Sequence, residues 1–180
     1  EDQDKFALNS QEKAIKAQKN NKFKDEIINL KIKSKKSEID FNIDEHPREG
    51  INLEALKRLK PVFKKDGTVT AGNASGINDG AAAVTLMTSE EAEKRNLQKL
   101  VSIKSWASCG VDPALMGTGP IPASKKALDL AGWSTKDVDL FEINEAFAAQ
   151  SIAVIRELGI DQNKVNVNGG AIALGHPIGA

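Results

Sequence analysis

Apolar positions recur with the period of a helix at the start of the chain and form short runs typical of strands soon afterwards. A helix is predicted from residue 2 to about residue 21, because the apolar positions there fall near one face. Two apolar runs, at 27–32 and 39–43, lie on either side of a lysine-rich segment and predict a pair of strands joined as a hairpin. Leucines at 53, 56 and 59 then predict one short helix, which Pro61 ends.

The rest of the chain alternates predicted helices with predicted strands. Helices are predicted at 89–96, 124–131 and 144–158, and the last two are followed by glycine. A buried strand, or alternatively a short helix, is predicted at 80–87, and strands are predicted at 101–106, 138–143 and 165–167. Segments rich in Gly, Asn, Ser, Thr and Pro predict loops at 66–79 and 110–122. Strands alternating with helices indicate an α/β fold.

Composition narrows the class of protein. Of the 180 residues, 40% are hydrophobic and 28% are charged, as in folded globular proteins. Basic and acidic residues number 25 each, so no net charge draws the chain to nucleic acid or to an anionic membrane. No apolar run approaches the roughly 20 residues of a membrane span, and we expect a soluble protein.

The single cysteine, Cys109, excludes an intrachain disulfide and favours a reducing compartment. No cysteine and histidine spacing typical of a zinc site is present, so no metal is predicted. Cys109 has no histidine near it in sequence to activate it as a nucleophile. The chain begins at Glu1 without a methionine and ends at Ala180 just after a Gly/Pro-rich stretch, so we expect an internal piece of a longer protein.

His176 is the first candidate for catalysis. Pro177 restricts it to extended backbone, and the neighbouring glycines leave its ring open to a substrate. Imidazole exchanges protons near neutral pH, which suits an acid or a base. From the residues alone, the alternative is that His176 has only a structural role. The other histidine, His46, lies in a turn beside Pro47 and is expected to be a surface residue with a structural role only.

Asn144 is the second candidate, at a predicted strand-to-helix junction. α/β folds bind ligands where strands open into helices, and an amide there can orient a water molecule. The alternative is that Asn144 caps the helix and that Phe147 belongs to the core. A third candidate is the small-residue loop at 73–81, whose backbone amides could contact a ligand or form only an ordinary turn.

Four segments together resemble the thiolase family, in order and spacing. They are NASGINDGAAA at 73–83, MGTGPIPA at 116–123, NEAFAAQ at 144–150 and GGAIALGHPIGA at 169–180. The resemblance implies the five-layered α-β-α-β-α sandwich of thiolases, incomplete here, with part of an inserted loop domain. It divides the chain into a CoA-binding part of the loop domain (1–77), the end of the amino-terminal half (78–98) and a truncated carboxy-terminal half (99–180).

The resemblance also implies an activity, that of the acetyl-CoA acetyltransferases. These enzymes condense two acetyl-CoA into acetoacetyl-CoA, and reverse the reaction, through an acylated cysteine. His176 matches the histidine that activates this cysteine and then helps bind the thioester oxygen, and Asn144 matches the asparagine that holds a water in the same oxyanion hole. Positions matching CoA and acyl contacts are Arg48, Phe63, Ser75, Gly76, Met116 and Phe147. Both catalytic cysteines of the family lie outside the chain, so we expect the chain alone to be inactive.

Two other functions remain open at this point. One is a degradative 3-ketoacyl-CoA thiolase, although the short form of the MGTGPIPA loop favours acetyl-CoA. The other is a non-catalytic acyl-CoA-binding module on the same scaffold. The resemblance implies CoA as substrate and product, no permanently bound cofactor, and acetyl-CoA and acetoacetyl-CoA as the other ligands. It further implies a homo-oligomer, dimer or tetramer, acting in the cytoplasm in fatty acid metabolism.

Overall fold

Six helices and four short strands are present in residues 1–33 and 37–180, which the computed structural model describes. The helices are α1 (Asp2–Lys19), α2 (Leu53–Lys57), α3 (Ser89–Lys94), α4 (Pro120–Ala131), α5 (Ala148–Leu158) and α6 (Ala171–Leu174). The strands are β1 (Leu30–Lys33), β2 (Glu38–Phe41), β3 (Ile77–Asn78) and β4 (His176–Pro177). Short 3-10 turns span Pro113–Thr118, Thr135–Asp137 and Gln162–Lys164.

Helix α1 confirms the first predicted element and provides one side of the core. Its buried positions are Phe6, Ala7, Ser10, Gln11, Ala14 and Ala17, which fall on one face at helical spacing. Acidic residues lie in its first turn and lysines in its last, an arrangement that stabilises the helix dipole. The apolar part of this face packs on α5 and α6, with Val154 and Ile172 among the buried partners. Because α6 leads directly into β4, the packing of α1 also sets the position of β4.

The predicted hairpin is confirmed. Strands β1 and β2 pair antiparallel, with Leu30 opposite Phe41 and Ile32 opposite Ile39. Since side chains alternate between the faces of a strand, these four apolar residues share one face. All of them are exposed. Residues 34–36 of the lysine-rich segment lie outside the described part of the chain.

Four predicted strands do not form in the described residues. Segments 80–87 and 101–106 are neither helix nor strand and are largely exposed, which corrects the prediction that 80–87 is buried. Segments 138–143 and 165–167 contribute only an isolated parallel bridge between Phe141 and Val165. A strand needs a neighbour to satisfy its backbone groups. The described residues donate or accept no backbone hydrogen bond along 80–87 or 101–106, so their strand-like sequences lack that partner.

Helix ends follow their predicted signals with two corrections. Gly132 and Gly159 end α4 and α5 with φ of +69° and +61°, which confirms both predicted stops. Helix α4 begins at Pro120 rather than at residue 124, because proline is favoured in the first turn. Helix α5 begins at Ala148 rather than at residue 144, because backbone hydrogen bonds to the loop around Asn73 hold the intervening residues in a non-helical path.

Candidate functional site

His176 is held by the loop that contains the NASGIND segment. Strand β4 pairs in parallel with β3, so His176 lies beside Ile77, and the His176 backbone N–H donates a hydrogen bond to Asn78 Oδ1 at 3.1 Å. Gly175 before it has φ of +96°, and a Cβ there would lie 2.5 Å from the same Asn78 oxygen. Only glycine combines this backbone with this close approach. The backbone at His176 is therefore held by residues about 100 positions earlier in the chain.

The structure brings Asn144 and His176 together. Their side chains lie 3.1 Å apart, measured from Asn144 Nδ2 to His176 Nε2. An amide nitrogen only donates, so His176 Nε2 is the acceptor in this contact. His176 is half-buried and Asn144 is exposed. The pair thus presents one proton acceptor and one amide at a surface that a substrate can reach.

Asn144 does not cap helix α5, so the capping interpretation is wrong. The cap position is Phe147, and no side chain caps the helix. The segment between them is instead fixed by the 73–75 loop: the Ser75 backbone N–H and hydroxyl donate to the Ala146 carbonyl at 3.0 and 3.2 Å. The Ala148 N–H donates to the Asn73 carbonyl at 2.9 Å. These hydrogen bonds free the Asn144 side chain for the contact with His176.

Gly76 lies directly against His46. A Cβ on Gly76 would overlap with His46 Nε2, while His46 Nδ1 lies 2.6 Å from the Ala173 carbonyl oxygen in α6. Because a carbonyl only accepts, Nδ1 carries the proton. His46 is half-buried, which corrects the expectation of a surface residue. It connects the 44–48 turn to the segment that precedes His176, and no local sequence signal marks this long-range contact.

A cavity of about 300 Å³ lies beside Asn144. Met116, Gly117, Pro120, Phe147 and Gln150 contribute to its lining. Phe63 contacts Phe147 edge to face, with ring centroids 5.8 Å apart and planes at 77°. Two of the predicted apolar positions therefore line the cavity beside Asn144, and Phe63 adjoins it through Phe147.

Arg48 lies apart from this cavity. Its side chain is exposed and is not part of the cavity lining, while its backbone N–H donates to Gln11 Oε1 at 2.8 Å. Among residues 1–33 and 37–180, no group of three His, Cys, Asp or Glu side chains lies close enough to hold a metal ion. No helix in the same residues is long and apolar enough to cross a membrane.

Charged groups near the site are perturbed by burial. Partial burial raises the pKa of Glu142, the nearby Glu145 raises it further, and Lys13 opposes the shift. Burial lowers the pKa of Lys13, against the attraction of Glu145 and Glu142. The Lys13 ammonium donates to the Val165 carbonyl at 2.8 Å. Glu142 lines the cavity beside Asn144, so a carboxyl group with a raised pKa borders the predicted substrate pocket.

Glu145 lies next to Asn144 in the chain, but no role is predicted for it from the sequence. Its carboxylate is 2% exposed and accepts hydrogen bonds from Ser10, Asn166 and Ile172. The only sequence signal is a glutamate next to a candidate asparagine.

Comparisons with known proteins agree on one family. Residues 1–90 match the family described as Thiolase, N-terminal domain, and residues 97–180 match Thiolase, C-terminal domain. The chain is 62% identical over 179 residues to an acetyl-CoA acetyltransferase of Paracoccus denitrificans, a match that covers 99% of this chain and 46% of that protein. The chain thus spans about half the length of the curated relatives it matches.

Two solved structures share the fold. The acetyl-CoA acetyltransferase of Bacillus anthracis superposes with a TM-score of 0.92 at 52% identity, covering 99% of this chain and 45% of that one. Human mitochondrial 3-ketoacyl-CoA thiolase superposes with a TM-score of 0.89 at 46% identity, covering the same shares, 99% and 45%. These superpositions confirm the α/β fold predicted from the four motifs. The division at residues 77 and 98 stays a prediction.

Proposed function

Because this chain belongs to the thiolase family, we propose that the full-length protein is an acetyl-CoA C-acetyltransferase. It condenses two acetyl-CoA into acetoacetyl-CoA and CoA, and it cleaves acetoacetyl-CoA in the reverse direction. The observation that carries this proposal is the 3.1 Å contact between Asn144 and His176 beside a small cavity. CoA is a substrate and product, and no permanently bound cofactor is required.

His176 serves first as a base and then as a hydrogen-bond donor. Its Nε2 accepts, so it can take the proton from the thiol of the catalytic cysteine, which lies outside this chain. The thiolate attacks the acetyl carbonyl, the thioester bond to CoA breaks, and the departing CoA thiolate takes its proton from the second catalytic cysteine, which also lies outside this chain. The imidazolium form of His176 then donates to the thioester oxygen of the second acetyl-CoA, where charge develops as its methyl group loses a proton to the ionised second cysteine. The resulting carbanion attacks the carbonyl of the acetyl-enzyme, which forms the carbon–carbon bond and breaks the bond to the first cysteine. The released cysteine thiolate takes its proton back from His176.

Asn144 supports the same oxygen. Its amide lies 3.1 Å from His176 Nε2. A water bound to Asn144 and the protonated Nε2 of His176 can therefore both donate a hydrogen bond to the same substrate oxygen. Neither donor needs to move far, because β3 fixes His176 and the Ser75 hydrogen bonds to Ala146 fix the Asn144 segment. Donors held in place before the reaction stabilise developing charge without a cost of reorganisation.

The cavity supports a short acyl group. Its volume of about 300 Å³ lies at the lower end of the range for small-molecule sites. Met116 and Phe147 form apolar walls beside Asn144, with Phe63 packed against Phe147. We assign these three residues to the acyl and pantetheine end of the substrate.

Ser75 and Gly76 contact the pantetheine arm in this proposal. The Ser75 hydroxyl donates to Ala146, which leaves its oxygen lone pairs as acceptors for a pantetheine amide. Gly76 meets the arm with its backbone, because His46 occupies the space that a Gly76 side chain would fill. Arg48 meets the nucleotide end of CoA, where its exposed guanidinium can stack on adenine or bind phosphate.

A degradative 3-ketoacyl-CoA thiolase is the second candidate, favoured by the superposition on the human mitochondrial enzyme. We further propose that the full-length protein acts in the cytoplasm, in keeping with its single cysteine here. We also propose that it forms a homo-oligomer and acts in fatty acid metabolism. A non-catalytic acyl-CoA-binding module is the outcome if the flanking sequence lacks either catalytic cysteine.

Kinetics on the full-length reading frame test the proposal. We expect CoA-dependent cleavage of acetoacetyl-CoA, faster than cleavage of a long-chain 3-ketoacyl-CoA. His176→Ala and Asn144→Ala should each lower kcat about 10²-fold or more. Glu54→Gln, an exposed change on α2, is the matched control and should leave kcat unchanged. Preference for the long chain would favour the degradative enzyme, and full activity of His176→Ala would overturn the assigned chemistry.

A further inference from the structure

We propose that Glu145 is a positioning residue that ties the segment of Asn144 to the segment of His176. This inference rests on the proposed function, because it concerns the geometry of the same pair. Glu145 does not face the cavity: its side chain is 2% exposed and lies on the side of α1 and α6. It therefore acts on the reaction only through the residues it holds.

Three separate parts of the chain donate hydrogen bonds to this carboxylate. The Ser10 hydroxyl of α1 donates to Oε2 at 2.6 Å, and the Ile172 backbone N–H of α6 donates to the same oxygen at 3.2 Å. The Asn166 amide donates to Oε1 at 2.9 Å. A carboxylate that accepts several hydrogen bonds in a buried place is held firmly, since each donor would otherwise lack a partner.

The direction of two of these hydrogen bonds is fixed by a further contact. Ser10 Oγ accepts from the Gly170 N–H at 3.1 Å, which turns its own proton toward Glu145. Asn166 Oδ1 accepts from the Ile143 N–H at 2.8 Å, so its Nδ2 faces Glu145 and the Ile143 carbonyl. Glu145 is thus surrounded by donors, and its two oxygens accept from all three of them.

The nearest opposite charge does not form an ion pair with this group. Lys13 interacts with Glu145 only at a distance, because its ammonium donates to the Val165 carbonyl. The other charged group facing it is Glu142, a like charge. The carboxylate is accordingly stabilised by hydrogen bonds rather than by a partner cation.

This network joins the two proposed catalytic residues. Glu145 is the neighbour of Asn144 in the chain, and Ile172 lies four residues before His176. A Cβ on Gly170 would overlap with the Glu145 carboxyl group, so the glycine is what allows the α6 segment to come this close. If the carboxylate is lost, the Asn144 and His176 segments lose their common anchor. Misplacement by about 1 Å in an active site can lower a rate about 10²-fold.

Glu145→Gln in the full-length protein is the deciding substitution. A glutamine with its NH2 group in place of Oε2 leaves the Ser10 hydroxyl and the Ile172 N–H without their acceptor. In the other orientation the Asn166 amide loses its acceptor. We expect kcat for acetoacetyl-CoA cleavage to fall about 10-fold to 10²-fold. KM should change less than about threefold, because Glu145 contacts no substrate.

Asp137→Asn is the matched control. It makes the same carboxylate-to-amide change at a side chain that accepts from the Ser134 N–H at 2.8 Å and from the Ser134 hydroxyl at 2.7 Å, without contact to the Glu145 network. It should reduce thermal stability and leave kcat unchanged. Ser10→Ala removes one donor to Glu145 and should lower kcat in the same direction by a smaller factor, which decides the matter if Glu145→Gln does not fold.

The outcomes separate the two proposals. An inactive wild-type protein overturns both the proposed function and this inference. An active wild-type protein with kcat unchanged in Glu145→Gln, or in Ser10→Ala where that variant decides, overturns the positioning role alone. A loss of kcat in Asp137→Asn as large as in Glu145→Gln also overturns it, because the effect then reports general destabilisation. Loss of kcat confined to the Glu145 and Ser10 variants supports the positioning role.

Discussion

Replacing Gly175 with alanine should damage both the fold and the chemistry, because two independent penalties meet at this residue. Its backbone, with φ of +96° and ψ of 165°, lies in a region that is essentially reserved for glycine and costs about 1–3 kcal/mol for other residues. The new Cβ would also lie 2.5 Å from Asn78 Oδ1. Asn78 must then move away from the His176 N–H, which costs about 1 kcal/mol for the lost hydrogen bond.

Together these effects predict a loss of about 2–4 kcal/mol in the free energy of unfolding of the full-length protein. Chemical denaturation followed by circular dichroism measures the loss. Gly132→Ala is the matched control, since Gly132 has φ of +69° but a Cβ added to it would meet no atom of the described residues within 4 Å. This control should lose about 1–2 kcal/mol in the free energy of unfolding, the cost of a left-handed backbone at alanine without a steric conflict.

Activity separates the two glycines further. Gly175→Ala should lower kcat because His176 is no longer held by Asn78, whereas Gly132→Ala should leave kcat unchanged. Adding Asn78→Gly to Gly175→Ala removes the steric conflict and should recover part of the lost stability but not the lost kcat. Equal stability losses in Gly175→Ala and Gly132→Ala, or unchanged kcat in Gly175→Ala, would refute this reasoning.

Two further substitutions test the cavity. Phe147→Ala removes an apolar wall and the edge-to-face contact with Phe63, so KM for acetoacetyl-CoA should rise severalfold; an unchanged KM in steady-state kinetics would remove Phe147 from the pocket. Partial burial raises the pKa of Glu142, so folding favours the protonated form of this carboxyl group. Its contribution to the free energy of unfolding is present below the pKa of the unfolded state and is lost as pH rises through the pKa of the folded state. Glu142→Gln should therefore raise Tm at about pH 8 more than at about pH 4.5, and an equal shift at both would contradict the sign.

Local sequence signals predicted the elements that depend on local physics. The apolar face of α1 and the left-handed glycines at 132 and 159 need no distant partner to be recognised. The hairpin at 30–41 was predictable for the same reason, because its partners lie close together in the chain.

Long-range pairing could not be predicted in this way. Segments 80–87 and 101–106 have the composition of strands, but composition does not say whether a neighbouring strand is present to bond them. The start of α5 was misplaced because Asn73 and Ser75, about 70 residues earlier, hold the backbone after Asn144. Propensity at Asn144 favoured a cap, and tertiary contacts overrode it.

The same distinction between local and long-range signals applies to the residues of the candidate site. His176 and Asn144 were identifiable from their motifs, and the structure places their side chains 3.1 Å apart. Glu145 and His46 were not, because their partners Ser10 and Ala173 lie 135 and 127 residues away in sequence. Buried networks of this kind leave no local periodicity to read.

A structure of the full-length protein with acetyl-CoA bound is the most direct test of the shared oxyanion site. The thioester oxygen should lie about 2.7–3.2 Å from His176 Nε2 and within the same distance of a water held by Asn144. A thioester bound elsewhere, or an oxygen that contacts neither His176 nor that water, would contradict the proposed chemistry.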